Sequence, residues 1–132
     1  MKTLVSASVL FLAVIVIIAL CYFYLHNLLD YTEEILDKIP ETKEKIESLS
    51  IYEKTKISLS MEKLNKKWKN KESFLCMCLR HEISRDFTEE MLLAKAYFDS
   101  ESYSDFIANL MTAKDTVAHI KYDEELKLGN LF

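Results

Sequence analysis

The chain has 132 residues, with 17 basic and 21 acidic side chains and a formal net charge of −4. Because both signs of charge are interleaved, no basic stripe is available for a phosphate backbone, so we predict no nucleic-acid partner. One glycine and one proline in the whole chain exclude a fold built on tight turns and hairpins. The composition therefore predicts a single all-α domain.

An uncharged apolar run occupies residues 4–25. At 1.5 Å per residue, a helix of about 22 residues spans roughly 33 Å, which is the thickness of a bilayer core. The sequence predicts one transmembrane helix here. The residues predicted to span the membrane include Leu4, Leu10, Val14, Ile18 and Leu25.

The residues at the end of this run bear on two alternatives to a retained anchor. A cleaved signal peptide has a shorter apolar region that ends in small residues, whereas this run ends in Tyr22, Phe23 and Tyr24, which suit an interfacial aromatic belt. Lipidation of Cys21 is the second alternative, but Leu20 stands where that motif has a small residue. We expect an uncleaved signal anchor.

The charges on either side of the run predict its orientation. Lys2 precedes it, and the first residues after it that carry a formal charge are acidic. The positive-inside rule therefore places the N-terminus in the cytoplasm and the rest of the chain outside. The predicted organisation is a cytoplasmic N-terminus at 1–3, a transmembrane helix at 4–25, a stem at 26–40 and an extracytoplasmic helical domain at 41–132.

Helical periodicity continues through the rest of the chain. The stem is predicted to end at Pro40, a second helical stretch to begin near Glu41, and a helix to restart at Ser50, which forms a capping box with Glu53. The spacing predicts a short antiparallel bundle of helical hairpins. The apolar stripes are Leu28, Tyr31, Ile35 and Ile39; Ile57, Met61, Leu64 and Trp68; Leu75, Leu79, Ile83, Phe87, Met91, Ala94 and Phe98; and Tyr103, Phe106, Leu110, Ala113, Val117 and Ile120.

A weak internal repeat is visible in two of these helices. When Tyr52 is aligned with Tyr103, Trp68 falls on His119 without a gap. Two related helical hairpins would produce such a match. Any two amphipathic helices aligned in phase would produce it as well.

The cysteine pair near the middle of the chain is the one cluster with metal-ligand residue types. Cys76, Cys78 and His81 lie close in sequence, and His119 could join them. On a helix, however, residues 76 and 78 point about 200° apart, so they do not converge on one ion. We predict that the cysteines pack in the apolar core, and that the protein has no metal site and no cofactor.

His81 and Glu82 are the neighbouring residues that suggest acid and base chemistry. Adjacent helical residues diverge by about 100°, so the pair does not form a dyad, and we expect His81 to make a structural hydrogen bond across the bundle. The sequence has no glycine-rich phosphate loop, no nucleophile turn and no paired Glu-x-x-His motif. It predicts a protein that is not an enzyme.

Three stretches of the sequence resemble a known family: Trp68, the run from Phe74 through His81, Glu82 and Ile83, and the closing residues 128–132. They are similar to the family called domain of unknown function 4363. The resemblance implies a short cytoplasmic start, one N-terminal span and a helical domain in a clostridial-type Gram-positive bacterium, with no assigned activity. It marks Trp68, His81, Glu82 and Asn130 as motif positions. Cys76 and Cys78 depart from the family pattern.

These observations support a membrane-anchored interaction or scaffold module at the cell envelope. Its expected partners are the lipid bilayer and a protein that the sequence does not identify. The alternative, from another class, is an extracytoplasmic sensor or ligand-binding bundle, which would enclose a small molecule between aromatic and methionine side chains on the inner helix faces.

Overall fold

The chain forms helices throughout the part that the computed structural model describes. That part comprises the backbone of residues 1–78 and 81–131, and the side chains in these ranges except those of 76–78, 81 and 125–131. No strand occurs within it, which confirms the all-α prediction. The helices are α1 Lys2–Asp37, α2 Lys43–Glu47, α3 Ile51–Asn70, α4 Glu72–Cys78, α5 His81–Asp99 and α6 Tyr103–Leu131.

Helix α1 runs without a break from the apolar N-terminus into the domain. It contains one stretch that is long and apolar enough to cross a membrane, and no residue of that stretch is buried by the rest of the chain. The helix ends at Asp37, with Lys38 as its C-cap. Pro40 follows two residues later, where its ring and its missing N–H prevent continuation.

The second half of α1 belongs to the core of the domain. Leu25 is only 1% exposed, and Leu28, Leu29 and Leu36 beyond it are also buried. Residues 26–40 were predicted as a stem, and Leu25 as the last residue of the span. In the structure the first buried residue is Leu25, and the segment after it forms one wall of the bundle.

Contacts between charged and aromatic side chains fix the directions of the helices. Helix α6 is antiparallel to α1, since Lys114 meets Asp37 at the end of α1 and Lys121 meets Asp30 two helical turns earlier. Helix α3 is also antiparallel to α1. Its C-terminal end, where Lys71 lies, is beside Tyr24, which comes just before the buried part of α1 begins. We call the end of the bundle beside Tyr24 the proximal end.

Helix α5 returns from the proximal end to the opposite one. Phe87, early in α5, packs against Trp68 near the end of α3, whereas Asp99 at the end of α5 accepts a hydrogen bond from Ser58. The turn that joins α5 to α6 therefore lies at what we call the distal end. Four helices, α1, α3, α5 and α6, pass between the two ends, while α2 and α4 are short connecting helices.

The predicted apolar stripes form the core. Their described members are buried or half-buried, and the prediction for Leu79 lies outside the described residues. Aromatic rings tie the stripes together: the centroids of Trp68 and Phe87 are 4.2 Å apart, and those of Phe98 and Phe106 are 5.0 Å apart. Such pairs stabilise a core beyond the area that they bury.

The start of α3 follows the predicted capping box. The backbone N–H of Glu53 donates to Ser50 Oγ at 3.2 Å, and the backbone N–H of Ser50 donates to the Glu53 carboxylate at 3.2 Å. Two N–H groups that the first turn leaves without helical partners are thereby satisfied. This prediction is confirmed.

The distal turn is closed by a Schellman motif without glycine. Ser102 N–H donates to the carbonyl of Tyr97 at 2.9 Å, and Glu101 N–H donates to the carbonyl of Phe98 at 3.1 Å. Glu101 takes the left-handed conformation, with φ at 63°. Glycine usually fills this position, so the chain accepts steric strain at Glu101 to start α6 at Tyr103.

The alignment of the weak repeat does not pair equivalent positions. Tyr52 is 77% exposed and Tyr103 is 5% exposed, while Trp68 is buried and His119 is exposed. Amphipathic helices in phase share residue types without sharing an environment. The two helices are therefore not structural repeats in this register.

Candidate functional site

Aromatic side chains gather at the proximal end, where α1 enters the bundle. Phe23 and Tyr24 are more than half exposed, and Tyr22 stacks on His26 with ring centroids 5.9 Å apart. The ring of Phe74, from α4, meets the ring of Tyr24 edge to face at 5.7 Å. The proximal end therefore carries aromatic rings from two separate helices.

Two lysines of α3 lie over tyrosines of α1 at this end. Lys67 Nζ is 3.9 Å from the ring centroid of Tyr31, and Lys71 Nζ is 5.6 Å from that of Tyr24. These are cation–π distances. The contacts hold the C-terminal turns of α3 against the part of α1 that follows the apolar stretch.

Trp68 lies at the junction of three helices. Its indole N–H donates to Thr32 Oγ1 at 2.9 Å, and the Thr32 hydroxyl donates in turn to the carbonyl of Leu28 at 2.7 Å. Both Trp68 and Thr32 are buried, so each polar group finds its partner inside the protein. The predicted motif position Trp68 is thus a core residue that joins α3 to α1 and, through Phe87, to α5.

An ion-pair ladder joins α6 to α1: Lys114 and Lys121 pair with carboxylates of α1 and with Glu41, which follows α1 in the chain. Lys121 Nζ lies 2.7 Å from the Asp30 carboxylate and also pairs with Glu33. Lys114 Nζ lies 2.5 Å from Glu41 and 3.8 Å from Asp37. The two lysine side chains are only 18% and 24% exposed, so the ladder lies along the interface.

The ladder shifts the protonation of its members. Hydrogen bonds to Asp30 and Glu33 raise the pKa of Lys121, against the opposing effect of burial. The hydrogen bond from Lys121 lowers the pKa of Asp30, and the one from Lys114 lowers the pKa of Glu41. Each pair therefore favours its charged form.

Sequence reasoning missed the ladder, although a signal was present. The acids at 30, 33, 37 and 41 recur every three or four residues, and Lys114 and Lys121 are seven residues apart, or two helical turns. Two such charged rows of opposite sign fit two helices that lie side by side. The sequence alone did not say that these two helices are neighbours.

Two open grooves lie elsewhere on the described surface. One, of about 340 Å³, lies on α6 beside Ile83 and includes His119. Thr116 of α6 also donates to the Glu90 carboxylate at 3.2 Å, while burial raises the pKa of Glu90 despite that bond. The other groove, of about 380 Å³, lies at the distal end between the start of α3 and the α5–α6 turn.

Exposed apolar residues border this distal groove. Ile51 and Leu59 line it, and Ile51 is 85% exposed. Tyr52, beside Ile51, is also largely exposed. The floor includes Phe98 and Tyr103. We call Ile51, Tyr52 and Leu59 the distal apolar cluster.

The predicted site residues fall into three environments. Four of the five residues predicted to span the membrane are exposed along α1, while Leu25 and Trp68 are buried. Glu82 is exposed on α5. Among the described side chains, no group of three or more His, Cys, Asp and Glu residues is arranged to hold a metal ion. The predictions for the side chains of Cys76, Cys78, His81 and Asn130 lie outside the described residues.

A family model described as Domain of unknown function (DUF4363) matches residues 22–131. The chain belongs to this family. The match begins among the aromatic residues of the proximal end and covers every helix of the bundle, which confirms the resemblance seen in the sequence. No curated protein and no solved structure matches the chain.

Replacing Thr32 tests the buried junction. Thr32→Val keeps the shape of the side chain but leaves the indole N–H of Trp68 buried without an acceptor, and we expect it to lower the free energy of unfolding by about 1–3 kcal/mol. Urea unfolding of the full chain in detergent, followed by the fluorescence of the single tryptophan, measures this. Thr32→Ser keeps the hydroxyl and serves as the control. Equal stability of Thr32→Val and the wild type would contradict the assigned bond.

Replacing Lys121 tests the ladder through pH. Because Asp30 has a pKa below its usual 3.8, its stabilising effect is present above pH 3.8 and is lost as the pH falls through the lowered value. Because Lys121 has a pKa above its usual 10.5, its effect is present below pH 10.5 and is lost as the pH rises further.

We therefore expect Lys121→Met to destabilise the domain between these limits, by at most about 1 kcal/mol because the carboxylates are half exposed. Urea midpoints of wild type and variant should converge at either extreme of pH. Lys56→Met, at an exposed lysine for which the structure shows no ion pair with a described residue, is the matched control. A difference that is independent of pH would point to lost packing instead of lost charge.

Proposed function

We propose that this protein is a single-pass membrane-anchored interaction module, with its N-terminus in the cytoplasm and its helical domain outside. In this proposal α1 crosses the bilayer, and the distal apolar cluster receives a protein partner. The observation that carries the proposal is the exposure of this cluster at the far end of a bundle whose other end continues into a candidate membrane span.

The exposed length of α1 supports the anchor. From Leu4 to Tyr24 the helix is apolar and largely unburied, and these residues extend about 32 Å at 1.5 Å each. Burial by the domain begins at the next residue, Leu25. Lipid would cover the exposed surface that the bundle leaves open.

The packing of α1 supports a fixed geometry. Thr32 with Trp68, and Asp30 with Lys121, join α1 to α3 and α6 on the domain side. Glu124 of α6 lines one small cavity with Tyr22 and His26 of α1, and the 22 residues from there back to Ser102 rise about 33 Å. The distal apolar cluster would therefore be held roughly 30 Å above the bilayer.

The sensor alternative has less support. Met61, Met91 and Phe87, the inner side chains that suggested a ligand chamber, are fully buried against their neighbours. The two larger cavities described above are open surface grooves, and a third, beside Tyr22, has a volume of only about 10 Å³. We also propose a non-catalytic role, because the sequence lacks a phosphate loop and a nucleophile turn.

Cysteine labelling tests the orientation. In a background with the three native cysteines replaced by alanine, Lys63→Cys places one thiol on an exposed position of α3. We expect a membrane-impermeant maleimide to label it in intact cells. Thr3→Cys, in the same background, keeps Lys2 and should react only after lysis. The reverse pattern would place the helical domain in the cytoplasm and overturn the proposal.

Site-specific photo-crosslinking tests the partner. With p-benzoylphenylalanine at Tyr52, we expect one discrete crosslinked protein in intact cells, because the ring would lie in the contact. The same substitution at Tyr122, an exposed tyrosine on α6, is the matched control. Leu59→Asp should reduce the yield at Tyr52 about tenfold, since it puts a charge into an apolar contact. Equal crosslinking at both tyrosines, or none at either, would contradict the assigned surface.

A further inference from the structure

We propose that the proximal corner between α3 and α4, formed by Lys67, Lys69, Lys71 and Phe74, binds the headgroups of anionic phospholipids in the bilayer that α1 crosses. The proposal rests on the membrane anchoring proposed above. It adds a second attachment of the domain to the membrane, through the phosphate layer, at residues remote in sequence from the span.

The corner lies at the level where α1 leaves the apolar stretch. Lys71 Nζ is 5.6 Å from the ring of Tyr24, and Phe74 meets the same ring at 5.7 Å. Tyrosine at the end of a span takes up the headgroup level, where an amphipathic ring meets both lipid and water. Lys71 and Phe74 are therefore brought to that level by direct contact with Tyr24.

The other lysines of the corner stay within electrostatic reach of this layer. Lys67 lies over Tyr31, which is seven residues, or about 10 Å, further along α1 than Tyr24. This is about one Debye length at 0.1 M ionic strength, so its charge acts on the phosphate layer at low salt and more weakly at physiological salt. Lys69, in the last turn of α3, lies at a height between Lys67 and Lys71 but points about 200° around the helix from Lys67, so it faces the same headgroup layer from the other side of α3.

The charge of the corner is not neutralised within the described protein. The structure shows no ion pair between Lys67, Lys69 or Lys71 and a described carboxylate, whereas Lys66 pairs with Glu62 at 3.3 Å. The exposed Glu72 removes one unit, which leaves a formal excess of two positive charges.

Nearby acids on α1 have other partners. Asp30 is in contact with both Lys121 and His26, and Glu33 pairs with Lys121. The positive excess of the corner is therefore available to phosphate groups, which carry the complementary charge. Basic residues beside a bilayer surface are attracted to anionic lipid headgroups.

The lysines of this corner are not counted when the positive-inside rule is used to orient the span. The positive-inside rule weighs residues close to the span in sequence. Lys67, Lys69 and Lys71 lie more than 40 residues after Tyr24, and only the antiparallel packing of α3 on α1 returns them to the membrane end. A basic layer on the domain side is therefore compatible with the predicted orientation.

Energy transfer to labelled lipids in vesicles tests the proposal on the full chain. Trp68, the one tryptophan, is the donor, and pyrene-labelled phosphatidylglycerol or phosphatidylcholine is the acceptor at equal mole fraction in a phosphatidylcholine bilayer. Flotation with the vesicles first establishes anchoring. At low salt, we expect the energy transfer to indicate a local excess of phosphatidylglycerol over phosphatidylcholine of about fivefold. This ratio corresponds to a free-energy preference of about 1 kcal/mol.

Two double variants distinguish the effect of the charge at this corner from the effect of the protein's net charge. Lys69→Gln with Lys71→Gln should bring the ratio of the two lipids close to one. Lys56→Gln with Lys63→Gln makes the same charge change on exposed positions of α3 further from the proximal end, and should leave the ratio unchanged. Because the ratio is taken within each variant, changes in the fluorescence quantum yield of the tryptophan cancel. Circular dichroism measures the helicity of each variant and so checks that it is folded.

The outcomes distinguish the two proposals. A chain that floats with vesicles but shows equal transfer to both lipids, or loses its preference equally in both double variants, would overturn headgroup binding and leave the anchor intact. A chain that fails to float would overturn both.

Discussion

The burial of α1 from Leu25 onward is the constraint on which the rest of the structure depends. Because the helix is continuous, its apolar half and its core-forming half share one axis, and the bundle must assemble around the second half. Thr32 sits in the middle of that half and receives the indole hydrogen bond of Trp68. Helices α3 and α5 are positioned by this junction, since Trp68 also packs against Phe87.

Ion pairs between α6 and α1 also constrain how these two helices align. Apolar stripes alone leave the register of two helices open, and in the observed antiparallel register Lys121 is level with Asp30 and Lys114 is level with Asp37. Ion pairs between partly exposed groups contribute little free energy. Their main effect here is to favour the antiparallel register, in which α6 returns towards the proximal end.

The two ends of the bundle consequently differ in character. The proximal end combines aromatic rings with lysines that lie over tyrosines, and the distal end combines a strained turn at Glu101 with exposed apolar side chains. In the functions proposed above, the first lies at the boundary between lipid and water, and the second contacts a protein partner. The family match extends over both ends. Trp68, predicted as a family-motif position, lies within the core and touches neither surface, and its contacts with Thr32 and Phe87 hold the helices between the two ends in a fixed relation.

The sequence by itself determined the local features: helices throughout the described part, the capping box at Ser50 and the buried faces of α3, α5 and α6. These follow from contacts within a few residues, which periodicity and cap chemistry encode directly. Tertiary structure alone decided that residues 26–40 form a core wall, that Lys121 pairs with Asp30, that Tyr52 is exposed while Tyr103 is buried, and that Lys71 returns to Tyr24. The physical reason is that an amphipathic stripe specifies which side of a helix is buried, but not which helix covers it.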